Sequence, residues 1–182
     1  MNKKFILIML FFTLTVVGFF IFSYLFLGVF SDFKRTQNVS FNAVVYAGVH
    51  EGDYNKTGKE VVETRNIFLA NGLTCTPILV YYDDVQKVGK PYLKSLGGCS
   101  AEKEPPTEVI KILREKNKMR YTFSLKRADQ FSIYGQTAVV LRKIWPELVH
   151  LSEKGAKFKF PVLQVVHDNG DSDFYVEAEN NN

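Results

Sequence analysis

The chain has few of the residues that build cofactor, metal and catalytic sites. It contains two cysteines and three histidines, which excludes a disulfide-rich framework and a four-cysteine zinc site. His50, His150 and His167 are haem ligands by residue type, but their spacing singles out none of them, so we predict neither a cofactor nor a metal. The motifs G-x-S-x-G, H-E-x-x-H and C-x-x-C are absent, as is a phosphate-binding loop. The sequence therefore does not identify an enzyme.

A second absence concerns charge at the N-terminus. No charged side chain occurs in residues 5–30, and Lys3 and Lys4 stand immediately before this run. A helix of this length can cross a hydrocarbon core of roughly 30 Å. We predict that residues 1–31 form a transmembrane anchor that contacts the lipid bilayer through residues 5–30. A cleaved signal peptide is the alternative, but the apolar run is longer than the usual ~7 to 15 residues, and no A-x-A-like site follows it.

The remaining charges are mixed, which argues against nucleic acid as a partner. The net charge is +4 and includes the two N-terminal lysines, and we find no basic stripe of the kind that binds nucleic acid. We expect a linker at residues 32–40, one compact domain at residues 41–177 and a short tail at residues 178–182. Charges on the two sides of the anchor nearly balance, so the charge rule alone does not decide the orientation. A short basic N-terminus that stays inside the cell would place the domain outside the cytoplasm, and we expect this orientation for a single-pass membrane protein.

The two cysteines are equidistant from Lys87. A hairpin centred there would place Cys75 and Cys99 opposite each other, at a separation that allows a disulfide. Two buried thiols in a reducing compartment are the alternative.

The patterns of apolar residues predict an α+β domain with an antiparallel sheet. Residues 119–126 alternate apolar and polar side chains, as a strand with one solvated face does. Residues 136–154 have a helical pattern, in which Pro146 either kinks one helix or opens a second. The other predicted elements are strands at residues 41–49, 78–84, 92–101, 158–167 and 173–177, and helices at residues 57–70 and 107–113.

Two short patterns occur twice and indicate a duplication. Pro77-Ile78-Leu79 recurs 84 residues later as Pro161-Val162-Leu163, and Tyr54-x-x-Thr57 recurs as Tyr134-x-x-Thr137 at the start of the next predicted helix. Each half then runs strand, helix, strand, strand. Two such units are expected to pair edge to edge into one antiparallel sheet with helices on one face, leaving a groove between the repeats for a small ligand.

Several motifs resemble those of a known family. His50-Glu51-Gly52-Asp53-Tyr54 is similar to the H-x-G-x-Y element of GyrI-like domains, and Val80-Tyr81-Tyr82-Asp83-Asp84 is similar to their second-strand YYD motif. The resemblance spans residues 41–177. With its N-terminal apolar segment, the chain also resembles the family of testis-expressed endoplasmic-reticulum-phagy receptors, which are single-pass membrane proteins.

This resemblance implies an effector-binding fold related to that of the haem-binding SOUL proteins. Members of the family bind organic cations, inhibit gyrase or hydrolyse small electrophiles. The family usually has a glutamate and then a tyrosine in the penultimate strand, where this chain has Gln164 and Val166. A neutral amide supplies neither a counter-charge for a cation nor a general base, which argues against both cation binding and hydrolysis in this chain.

Six residues are candidate ligand contacts in the predicted groove. Gln164 is a polar residue on an otherwise apolar strand face; it either orients a ligand or is a hydrogen-bonded core residue. The others are aromatic and either line a pocket or belong to the core: Tyr54, Phe123, Tyr134, Trp145 and Tyr175.

These features favour a membrane-anchored domain that binds a small, largely apolar or amphipathic molecule between its two repeats. Two alternatives remain open. One is an interaction module that keeps the fold but binds a protein partner near the membrane, and the other is a degenerate hydrolase.

Overall fold

The computed structural model describes residues 3–26 and 31–179. The first element is a 24-residue helix, α1 (Lys3–Phe26). Among the described residues, no helix combines the length and the apolarity needed to cross a membrane, so the predicted transmembrane helix is not supported. Residues 1–2 and 27–30 of the predicted anchor and residues 180–182 of the predicted tail lie outside the described residues.

Six antiparallel strands form a closed barrel in the order β1-β3-β2-β5-β6-β4. The predicted α+β class and antiparallel pairing are confirmed. The predicted single sheet closes on itself, because β1 and β4, the outer strands of the two repeats, also pair with each other. The strands are β1 (Lys34–Glu51), β2 (Thr76–Tyr81), β3 (Lys94–Ser100), β4 (Met119–Tyr134), β5 (Phe158–Val166) and β6 (Asp171–Ala178).

Three further helices accompany the barrel: α2 (Gly58–Ala70), α3 (Thr107–Glu115) and α4 (Thr137–Glu153). Pro146 lies inside α4, so the predicted segment forms one helix and not two. Single turns of 3-10 helix precede α2 at Tyr54–Lys56 and β3 at Lys90–Tyr92.

Strand side chains alone fill the inside of the barrel. Val45, Val80 and Leu163 are completely buried in a cluster whose members all lie on strands. The outer face of the barrel packs against the helices in two further clusters. One contains α4 with Tyr81 and Phe174, and the other contains α2 and α3 with Tyr46.

The burial pattern supports the duplication in the helices but not in the strands. Val61 and Phe68 of α2 are buried, as are Leu141 and Leu148, which lie 80 residues later in α4. The 84-residue alignment of Pro77–Leu79 with Pro161–Leu163 was wrong. It aligns Ile78, whose side chain points into the barrel, with Val162, whose side chain points outward. The inward residues of β2 have even numbers and those of β5 have odd numbers, so a shift by an even number of residues cannot align them.

The first strand begins earlier than the sequence predicts. β1 starts at Lys34, so most of the expected linker at residues 32–40 belongs to this strand, and part of it pairs with β4. Register shifts between Thr36 and Phe41 and a positive φ of 58° at Asn38 interrupt the pairing there.

Cys75 and Cys99 form a disulfide between the start of β2 and the end of β3. Cys99 is completely buried in the cluster that contains Phe68 and Leu113. The bond therefore joins the two strands beneath α2 and α3.

Candidate functional site

A buried hydrogen-bonded chain links β2, β5 and β6 on the outer face of the barrel. The hydroxyl of Tyr81 donates to Oε1 of Gln164 at 2.7 Å, and Nε2 of Gln164 donates to Oγ of Ser172 at 3.2 Å. All three residues are fully buried. Tyr81 lies diagonally opposite Gln164, because Leu79 pairs with Gln164 and Tyr81 with Val162. Gln164 thus has partners for both ends of its amide within the protein.

Tyr54 lies above this chain and holds the loop that follows β2. Its hydroxyl donates to the carbonyl oxygen of Asp83 at 2.9 Å and accepts from the Asp83 amide at 2.8 Å. Its ring centroid lies 4.8 Å from that of Tyr81. Burial raises the pKa of both tyrosines well above the ordinary value. Both phenols are therefore neutral near pH 7 and cannot act as bases.

Trp145, on the middle of α4, completes the aromatic cluster. Its ring centroid is 6.0 Å from that of Tyr54 and 5.9 Å from that of Tyr81. On its other side, Trp145 stacks on Phe160, at 6.2 Å and an interplanar angle of 16°. The structure therefore brings three of the six predicted residues together, namely Tyr54, Trp145 and Gln164.

The other three predicted residues lie elsewhere. Phe123 and Tyr175 pack with the inner cluster of the barrel, where Tyr175 stacks on Phe41 at 4.2 Å. Tyr134 ends β4 at the surface, with its ring against Gly170 of the β5–β6 turn. These three residues contact different surfaces and do not share a pocket with Trp145.

A cavity of about 320 Å³ lies between the two repeats. We call it the seam cavity. Its walls are the first turns of α2 and α4, and its floor is the adjoining parts of β2 and β5. Repeat-related residues meet across it, because Gly58 and Val61 of α2 correspond to Ala138 and Leu141 of α4. The lining also includes Tyr54, Asn55, Val62, Arg65, Pro77, Leu79, Thr137 and Val166.

A second cavity, of about 420 Å³, lies along the last turns of α4. We call it the outer groove. Trp145, Phe160 and Val176 contribute to its apolar wall, and Asp84 and Glu153 lie at its rim. Among the residues that the structure describes, none lines both cavities. The contact between the rings of Tyr54 and Trp145 connects the two linings.

The two cavities differ in their charged groups. Arg65 is the charged residue in the seam cavity, and its Nη2 donates to Oδ1 of Asp168 at 3.0 Å. The outer groove contains the Asp84–Lys87 ion pair, at 3.3 Å, in addition to Glu153. Within residues 3–26 and 31–179, no cluster of three or more potential metal ligands occurs.

Sequence reasoning missed three residues of this region. Tyr81 lies within the YYD motif, but its role depends on Gln164, which is 83 residues away. Arg65 occupies the position in α2 that the 80-residue repeat assigns to Trp145 in α4, but Trp145 lines the outer groove, so an alignment of the two helices does not indicate that Arg65 lies at the seam cavity. Phe160 precedes a proline in an apolar strand, and no pattern distinguishes it there.

No protein family model and no curated protein sequence matches the chain. Solved structures do share its fold. The C-terminal domain of EcmrR matches with a TM-score of 0.54 and 13% identity, over 81% of this chain and 98% of that one. An integron cassette protein from Vibrio cholerae matches with a TM-score of 0.50 and 11% identity, over 81% and 96%.

A structure described as a hydrolase from Listeria innocua matches with a TM-score of 0.51 and 8% identity, over 81% of this chain and 92% of that one. At such identities these likenesses establish the fold alone, since one fold serves many activities. The function must be argued from the cavities.

Proposed function

We propose that this protein is a GyrI-like domain that binds a small, largely apolar molecule in the seam cavity. One observation carries the proposal: equivalent first turns of α2 and α4 leave about 320 Å³ between them, with Leu79, Leu141 and Val166 in the lining. Ligand sites are commonly concave, mostly apolar and of this size or larger. The cavity also lies where the sequence predicts a groove, between the repeats.

The buried chain beneath the cavity has a supporting role in this proposal. Gln164 does not line the seam cavity, and its amide is already bonded to Tyr81 and Ser172. We assign to it the task of fixing Tyr81, against which the Tyr54 ring packs. In this proposal the ligand contacts Tyr54 and the aliphatic side chains of the two helices instead of Gln164.

Binding can be tested with a neutral probe of matching size, phenylbutanol. The full chain is held in phospholipid nanodiscs, with empty nanodiscs as the blank. At a hundredfold excess over Kd, a ligand that binds only the folded state adds about 2.7 kcal/mol, which raises Tm by roughly 5 °C or more.

Two variants locate the site. Ala138 lines the seam cavity, so Ala138→Phe should fill it and abolish the shift in Tm. Val149 lines the outer groove, so Val149→Phe should leave the shift intact. A native chain that phenylbutanol does not stabilise contradicts the proposal, and so does a shift that survives in the Ala138→Phe variant.

We further propose that α1 attaches the domain to a lipid bilayer. Large apolar side chains of α1, such as Phe11 and Phe19, are exposed. Its hydroxyl groups bond to the helix itself: Thr13, Thr15 and Ser23 each donate to the carbonyl oxygen four residues earlier, at 2.8–2.9 Å. A helix in lipid needs its polar groups satisfied in this way.

Alkaline carbonate extraction tests the attachment. The chain should remain with the membrane pellet, and a variant with Leu14→Lys and Val17→Lys should be released, since charged side chains on the apolar surface of α1 are costly to bury in lipid. A native chain found in the supernatant would rule out the attachment.

The disulfide supports the expectation that the domain lies outside the cytoplasm, because such bonds persist in oxidising compartments. Cells should be lysed in a thiol-blocking reagent, and the two cysteines should then prove unmodified until a reductant is added. Two blocked thiols would place the domain on the reducing side.

A further inference from the structure

We propose that the ligand of the seam cavity is an anionic amphiphile, with an apolar body and one carboxylate, and that Arg65 binds the carboxylate. This inference rests on the proposed function. It depends on the charge of the cavity wall. Arg65 is the only charged side chain in the described lining, and no acidic side chain of residues 3–26 and 31–179 lines the cavity.

The geometry leaves Arg65 able to take a second carboxylate. Its ion pair with Asp168 uses Nη2, and a guanidinium has five N–H donors in a planar fork. The side chains of Arg65 and Asp168 are 43% and 86% exposed. A pair so exposed is weak, on the order of 1 kcal/mol or less. A ligand carboxylate can therefore share Arg65 with Asp168 or replace Asp168.

The other polar groups of the lining do not oppose an anion. Asn55 and Thr137 are neutral, and the first turn of α4 presents the positive end of its helix dipole to the cavity. The first turn of α2, in contrast, contains Glu60, which pairs with Lys118. Neither helix has a side-chain hydrogen bond at its N-cap, and α4 has no acidic residue in its first turn. These features favour an anionic ligand, as Arg65 does, but the inference depends on the cavity and on Arg65 itself.

The apolar body of such a ligand would lie deeper, between the two helices. Leu79, Leu141 and Val61 provide aliphatic contacts, and the Tyr54 ring closes one side. Arg65 comes two turns after the start of α2, at the opposite end of the cavity wall from Gly58. The arrangement thus separates an apolar floor from one cationic end, as an amphiphile requires.

Three probes with the same body test the charge class: phenylbutyrate, phenylbutanol and phenylbutylamine. Binding to the full chain in nanodiscs is measured by titration calorimetry against empty nanodiscs. Phenylbutyrate should bind about fivefold more tightly than phenylbutanol, the value expected for one charged contact at a half-exposed site. Phenylbutylamine should bind more weakly than phenylbutanol.

Substitutions then assign the preference to Arg65. Arg65→Gln should remove the advantage of phenylbutyrate and leave the affinity for phenylbutanol unchanged. Asp168→Asn removes the competing carboxylate and should increase the advantage of phenylbutyrate about twofold to threefold. Lys59→Gln is the matched control, because Lys59 is an exposed cation of α2 outside the cavity. It should keep the full preference.

The outcomes separate this inference from the function on which it rests. If phenylbutanol binds while phenylbutyrate binds no better, or if phenylbutylamine binds best, the inference is overturned and the seam cavity remains a ligand site. If the preference survives Arg65→Gln or is lost equally in Lys59→Gln, Arg65 is not the recognition residue. If none of the three probes binds, both proposals fail.

Discussion

The two repeats share a topology but hold their long helices against the barrel differently. In the first repeat, α2 lies directly on β3 and β1. Gly97 allows this approach, because a Cβ at that position would lie 2.5 Å from the carbonyl oxygen of Thr57 and 2.8 Å from Cβ of Glu60. In the second repeat, the outward residues of β6 that pack in the α4 cluster are Phe174 and Val176. Their side chains keep α4 away from β6.

Polar and covalent contacts reinforce the difference. Lys118 is buried and pairs with Glu60 and Glu63 of α2, and the disulfide joins β2 to β3 beneath the same helix. On the other side, α4 is held at Lys143, which donates to the carbonyl oxygen of Ser31. The first repeat is thus a rigid wall of the seam cavity. The second leaves room for the outer groove, and we expect the wall formed by α4 to adapt to a ligand.

Removal of the disulfide should have the largest effect on this contrast. The bond closes a segment with a sequence separation of 24 residues, for which the loss of chain entropy in the unfolded state predicts about 3 kcal/mol of stabilisation. The double variant Cys75→Ala and Cys99→Ala should therefore unfold at a clearly lower urea concentration, with the fluorescence of Trp145, the one tryptophan, as the probe.

Reduction of the native chain is the matched control, since it breaks the bond and keeps both side chains in the buried cluster. A loss below about 1 kcal/mol in both experiments would show that the first repeat does not depend on its covalent link.

Substitution of Gly97 tests the close approach of α2. Gly97→Ala should cost about 2 kcal/mol, because the new methyl group meets backbone and Cβ atoms that cannot rotate away. Urea unfolding measures the change. Gly58→Ala is the control, since a Cβ at Gly58 meets no atom within 4 Å, and it should be neutral or slightly stabilising. Equal effects of the two substitutions would refute the packing difference between the repeats.

The contrast between the repeats also shows what sequence patterns can and cannot predict. The helices were predictable because apolar residues recur in them at helical spacing, and residues such as Phe68 and Leu148 lie on the buried faces. The early start of β1 was not, because residues 34–40 are mostly polar and their pairing with β4 is interrupted by bulges. Asp129, which is buried in β4, is neutralised by Arg35 from 94 residues away, and no local pattern reveals such a pair.

The candidate site also contains some residues that sequence patterns predict and others that they do not. Tyr54 was predictable from the family motif, and Trp145 from its place on the apolar face of α4. For Phe123 and Tyr175 the sequence left both a pocket and the core open, because strand periodicity identifies a face but does not say which face points into a closed barrel. Arg65 is polar on a helix surface, and its position at a cavity emerges only when α2 and α4 pack side by side.

A substitution in the outer groove should have a smaller effect than those in the first repeat. Phe160 is 38% exposed and contributes one ring of the stacked pair with Trp145. Phe160→Ala should cost about 1 kcal/mol, well below the usual cost at a fully buried phenylalanine. Phe160→Leu should recover part of the loss, and the emission maximum of Trp145 should shift to the red only in the alanine variant. A loss above about 3 kcal/mol would mean that α4 is packed as tightly as α2.

The smallest effect concerns acid stability at the β5–β6 hairpin of the second repeat. Burial alone would raise the pKa of Asp173, but hydrogen bonds from Ser132, at 2.5 Å, and His167, at 2.9 Å, outweigh burial and hold the pKa below its ordinary value of 3.8. A carboxylate with a lowered pKa stabilises the fold above the pKa of the unfolded chain, and this contribution is lost as the pH falls through the lower folded value.

The free energy of unfolding, measured by urea titration at a series of pH values, should therefore decline below about pH 4. Asp173→Asn cannot gain a proton at this position, so its curve should be flatter than that of the native chain over the same range. Ser132→Ala removes one donor, which should bring the pKa of Asp173 closer to its ordinary value and flatten the curve in part. If both variants fall in parallel with the native chain, the acid sensitivity originates elsewhere, and the hydrogen bonds of Asp173 do not stabilise the hairpin of the second repeat.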